Sequence, residues 1–109
     1  MQFSEILSTL ASIDHLAAIE LSLGEQQSTR IDNKPGSSGS VRVYHALFQE
    51  FGEINLAAAE KGLQLYAEHS ADAIAFPGKH PNIDRLLEII EVQKAGKAPI
   101  CYSVKLISQ

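Results

Sequence analysis

The 109-residue sequence has no tryptophan, one cysteine, one methionine and only 6% aromatic residues. A single cysteine excludes an intrachain disulfide framework and a four-cysteine zinc site, so stability must come from an apolar core, and a reducing, cytoplasmic setting is expected. Positive charge is also scarce: 9 Lys plus Arg stand against 13 Asp plus Glu, a formal charge of -4. That balance argues against nucleic acid or an anionic membrane surface as partner, because both select basic patches. No apolar run approaches the roughly 20 residues needed to span a bilayer. The opening stretch MQFSEILSTL has no basic residue and is interrupted by Glu5, unlike a secretory signal. What the chain does have is 45% apolar residues, enough for one core but not two at this length, so a single domain over residues 1–109 is expected.

Phe3, Ile6, Leu7 and Leu10 recur at helical spacing and predict a short helix beginning near Ser4. The period then becomes two: Ala17, Ile19, Leu21 and Leu23 alternate with Ala18, Glu20 and Ser22, the pattern of a half-buried strand. Gly24-Glu25 offers a turn, and a second, weaker alternation around Thr29 and Ile31 completes a hairpin. After the loop Asn33 to Ser40, the residues Val41, Tyr44, Leu47, Phe48 and Phe51 form a helical stripe with a serine as N-cap and Gly52 as terminator. Taken alone, Val41 to Tyr44 also reads as strand.

Asn55 is an N-cap for a helix whose stripe of Leu56, Ala59, Leu63, Tyr66 and Ala67 extends toward Ile74, with Gly62 weakening it slightly. Pro77-Gly78 stops that helix, and His80 or Asn82 caps the next, which carries Ile83, Leu86, Leu87 and Ile90 and exits at Gly96. Finally, Ile100, Tyr102, Val104 and Leu106 alternate against Cys101, Ser103 and Lys105, a strand that needs a partner from the early hairpin. The expected architecture is α+β, a small, mainly antiparallel three-stranded sheet with helices packed on one face, in the order α-β-β-α-α-α-β.

Two stretches carry candidate chemistry. Gly36, Ser37, Ser38, Gly39 and Ser40 lie between a strand and a helix, where free backbone N–H groups, the helix dipole and serine hydroxyls could hold a phosphate or carboxylate. Neither G-x-x-x-x-G-K-[ST] nor G-x-G-x-x-G occurs there, and a flexible connector ending in a serine cap explains the same residues. The second stretch comprises Tyr66, Glu68, His69 and Asp72, then His80, Asn82, Asp84 and Arg85. On a helix running through Asp72, Glu68, His69 and Asp72 share a patch, and imidazole with carboxylate suits acid/base chemistry or a divalent metal. The spacing matches no metal-binding motif, and no metal site is assigned. Its ordinary explanation is a solvated helix end, with Arg85 paired to Asp72 or Glu88.

His15 and His45 stand alone and read as surface or half-buried histidines. Cys101 reads as a small structural residue, and Tyr44, Phe48, Phe51 and Tyr66 read as core, since basic interleaving for base stacking is missing.

The chain resembles a family of small bacterial proteins catalogued only as a domain of unknown function. The likeness rests on Pro35-Gly36-x-x-Gly39-Ser40 followed by Tyr44-His45-Ala46-Leu47, on Gly62-Leu63-x-Leu65-Tyr66-Ala67-Glu68-His69, and on Gly78-Lys79-His80-Pro81-Asn82-Ile83-Asp84-Arg85-Leu86, and spans the chain. It implies no activity, cofactor or site residue.

Two functional expectations stand. The first is a non-enzymatic binding or assembly module, with homodimerisation through the open strand edge at Ile100 to Ile107 as one geometry. The second is a small enzyme or metabolite sensor that holds an anion on the Gly36 to Ser40 loop and uses His69, Glu68 or His80 as acid/base or metal ligands. This second reading requires the two stretches to meet in space. The identity of a cofactor, or of a protein or small-anion partner, is unknown at this level.

Overall fold

A computed structural model describes residues 2–24 and 27–109. Its elements run α1 (Phe3–Thr9), β1 (Leu16–Leu23), β2 (Gln27–Asp32), α2 (Ser38–Phe51), α3 (Leu56–Tyr66), α4 (Glu68–Ala75), α5 (Pro81–Lys94) and β3 (Ser103–Ser108). The sheet has the order β2-β1-β3 and is antiparallel throughout, so the closing strand pairs with the first strand of the hairpin, as its alternation required. Ile19 sits opposite Ile31 on one side and Leu106 on the other, and Leu21 opposite Val104. This row faces the helices. On the alternate row Glu20 lies opposite both Arg30 and Lys105, a polar face with opposite charges as cross-strand neighbours. The pairing of β1 with β3 shifts between Leu16 and Ala18, and that irregularity lets Leu16 and Ala18 be buried along with Ile19 and Leu21. Of the expected hairpin turn, Gly24 has φ +70, while Glu25 lies outside the described residues.

The ambiguous stretch Val41 to Tyr44 is helical. In α2, Val41, Val43, Tyr44, His45 and Leu47 are all buried, so the helix is covered on more than one stripe. That corrects the expectation for His45, which is 4% exposed and leaves its Nδ1 without a hydrogen-bond partner among the described residues. Its ring lies edge-on to exposed His15, with centroids 5.7 Å apart.

The helix after Asn55 starts as its cap predicts, with the Asn55 side chain accepting from the Ala58 N–H at 2.9 Å. It does not run unbroken to Ile74. Ala67 takes φ 52 and ψ -119, which ends α3 and begins α4, and the Ser70 hydroxyl donates back to the Leu63 carbonyl at 2.7 Å across the break. The described residues therefore form five helices. Gly62, which costs α3 some intrinsic stability, has a packing reason: a Cβ there would stand 2.6 Å from Leu86 Cδ1 and 3.1 Å from Leu47 Cδ1, so only glycine lets α3 lie this close to α5 and α2. Among the described residues, no helix is long and apolar enough to cross a membrane.

Candidate functional site

The first turns of α2 and α5 open onto one cleft of about 450 Å³, within the size range of small-ligand sites. Its α2 side is formed by Gly36, Ser37, Gly39 and Ser40, and its α5 side by Lys79, His80, Pro81, Asn82 and Ile83, with Phe3, Tyr66 and His69 between. The two stretches singled out in the sequence thus come together, although more than 25 residues separate Ser40 from His69 along the chain. Despite the acidic composition, no carboxylate among the described residues lines this cleft.

The helix starts are left open. Ser37 occupies the N-cap position of α2 but does not cap it, because its hydroxyl donates to the Asp32 carbonyl at 2.5 Å. His80 occupies the N-cap position of α5, yet its ring turns away, Nε2 lying 2.6 Å from Asp72 Oδ2. Both differ from the side-chain caps expected from sequence. Among the described residues, the backbone N–H groups of Gly39, Ser40 and Asn82 consequently have no acceptor. Such groups carry the partial positive charge of a helix N-terminus and are the natural partners of an anion.

Two buried tyrosines fix these turns. The Tyr66 hydroxyl of α3 donates to Ser40 Oγ at 2.8 Å, which occupies an acceptor position on Ser40 and leaves that serine's own O–H free to donate. The Tyr44 hydroxyl of α2 donates to the Asn82 carbonyl at 2.5 Å and accepts from Arg85 Nη1 at 3.1 Å, while Arg85 Nη1 also donates to Asn82 Oδ1 at 3.0 Å. Burial pushes the Tyr44 hydroxyl up to about 12 and Tyr66 well above the ordinary tyrosine value, so both remain donors at neutral pH. Phe3 stacks on Tyr66 with centroids 5.4 Å apart and meets His69 edge-on at 5.0 Å. Its backbone N–H donates to Glu68 Oε1 at 2.8 Å, tying α1 to the start of α4.

The charged residues have distinct positions. Asp72 accepts from His80 and from Lys79 Nζ at 3.1 Å, and these two partners hold its carboxyl below the usual carboxylate range. His69 stands beside His80, centroids 5.8 Å apart. Glu68 is held low by its own backbone N–H and by that of Phe3. Asp84 accepts the Gly78 N–H at 3.0 Å, closing the turn before α5.

Ser38 departs from its neighbours and lines a separate cleft with Ser12, Asp14 and Arg42. Arg85 pairs with neither Asp72 nor Glu88 but with the Tyr44 hydroxyl and Asn82. Two contributors to the cleft region escaped the sequence reading: Phe3 and the Tyr44 hydroxyl. Only the second left a signal, since a core tyrosine must find a partner for its O–H. Among the described residues, no group of three or more His, Cys, Asp and Glu could hold a metal ion.

Comparison with curated proteins and with solved structures finds no match. Residues 3–99 match the model of a family described as "Uncharacterized protein conserved in bacteria (DUF2322)", to which this chain belongs.

Proposed function

We propose that this domain binds a small anionic metabolite, a phosphate or carboxylate compound, in the cleft between the first turns of α2 and α5. The observation that carries this reading is that Gly39, Ser40 and Asn82, whose N–H groups have no acceptor among the described residues, line one cleft to which no described carboxylate contributes. Two helix N-termini add their dipoles there, Lys79 lines the cleft while paired with Asp72, and the tyrosine bonds hold the turns in place before any ligand arrives. A cytoplasmic binding or sensing module fits this chemistry, and the single Cys101 is compatible with a reducing compartment.

The test is thermal unfolding in inorganic phosphate against chloride of equal ionic strength. Phosphate at 100 times its dissociation constant adds about 2.7 kcal/mol, or roughly 10 °C in a domain of this size. Lys79→Ala and His69→Ala should each reduce the shift, and a midpoint that moves no further in phosphate than in chloride overturns the proposal.

A second reading has its own support. The short contact of His80 with Asp72 orients an imidazole at the cleft, the arrangement of a general acid/base pair. Self-association is a separate proposal, motivated by β3 being an edge strand, with the bridge between Ile54 and Tyr102 just before it. Equilibrium sedimentation giving a strict monomer at high micromolar concentration would rule it out.

A further inference from the structure

A second depression, of about 310 Å³, adjoins the cleft and shares Ser37, Pro81 and Asn82 with it. Arg30, Lys34 and Arg85 line it, against one carboxylate, Asp32, which is already engaged by Arg30 at 2.7 Å. Neither Lys34 nor Arg85 forms a salt bridge among the described residues. Arg85 is half-buried, its guanidinium fixed through Nη1 by Tyr44 and Asn82 and resting near the Tyr44 and Tyr102 rings. A half-buried cation without a counter-charge is costly, and a guanidinium fixed on one side presents its remaining donors as a fork suited to phosphate or carboxylate.

We infer that the ligand is a small molecule carrying two anionic groups, one against the open turns of α2 and α5, the other in the groove of Lys34 and Arg85. This rests on the anion-binding reading and names the class of compound. Asn82 stands at the junction: it lines both depressions, and its side chain accepts from the guanidinium that meets the second group. A sugar bisphosphate or a diphosphate has the required charges, whereas a monophosphate fills only one subsite.

The experiment is isothermal titration of the full chain with inorganic phosphate, pyrophosphate, fructose 6-phosphate and fructose 1,6-bisphosphate at fixed ionic strength. The expected result is that pyrophosphate binds at least about tenfold more tightly than phosphate, or the bisphosphate than the monophosphate. Lys34→Gln, at an exposed side chain, should erase that advantage while leaving inorganic phosphate binding unchanged, and Arg85→Gln should erase it as well. Equal affinity for one-group and two-group probes, or an advantage that survives in Lys34→Gln, overturns the inference while phosphate binding itself keeps the cleft reading intact. Failure of phosphate to bind, with pyrophosphate still bound in a Lys34-dependent way, instead overturns the cleft reading and the two-group inference with it.

Discussion

Ala67 is the sole non-glycine residue at positive φ among the described residues. Its φ 52 and ψ -119 belong to a region that glycine enters freely and a Cβ makes unfavourable, at a cost on the order of 1–3 kcal/mol. Ala67→Gly removes that cost but gives the unfolded chain more freedom, which offsets about 0.5–1 kcal/mol. The net expectation is a variant more stable by about 1 kcal/mol. With an unfolding entropy of roughly 2.1 cal/mol/K per residue, that raises the midpoint by about 4 °C. The matched control is Ala71→Gly, at an exposed position inside α4, where glycine should lower stability by about 1 kcal/mol. Calorimetric melts of the two variants should therefore move in opposite directions from wild type. If both melt lower by similar amounts, position 67 is ordinary helix, α3 and α4 are continuous, and the account of how Tyr66 and His69 reach one cleft fails.

Two further outcomes follow from other groups. Burial, and then the neighbouring His15, lower the His45 pKa below its ordinary 6.5 in the native state. Because the unfolded chain takes up a proton that the native state resists, this stability is present above pH 6.5 and is lost as pH falls from there toward the lowered native value. The melting midpoint should fall across that window, and His45→Leu should flatten the dependence; an unchanged slope would show that His45 is not the group responsible. For Cys101, burial followed by its contact with Glu53 pushes the thiol up to about 11, from 9.0. Alkylation by iodoacetamide at pH 8 should run about a hundredfold slower than in the denatured chain, and equal rates would refute this.

Element type and order were legible from the sequence wherever one face of an element is buried, because burial then imposes a period that residues display locally. The alternations at Ile19 to Leu23 and at Val104 to Leu106, the Asn55 cap and the left-handed Gly52 stop belong to this class. The halves of the candidate site were legible as well, as a Gly/Ser loop and a His/Asp-bearing helix end. Their meeting was not, since the contact between the first turns of α2 and α5 is set by how Gly62 seats α3 against Leu86 and by where two tyrosine hydroxyls find acceptors.

Local spacing also misled where a side chain had a nonlocal partner. Ser37 and His80 sit at cap positions but bond Asp32 and Asp72, and the helical stripe through Ala67 hides a break that Ser70 and Leu63 bridge. Thus the sequence by itself determined an acidic α+β chain with one cysteine, a three-stranded sheet and the residues from which a site could be made. Only the tertiary structure decided that two helix starts face one cleft with their N–H groups unclaimed, because hydrogen-bond partners are chosen by distance in space, which period and propensity along the chain do not encode.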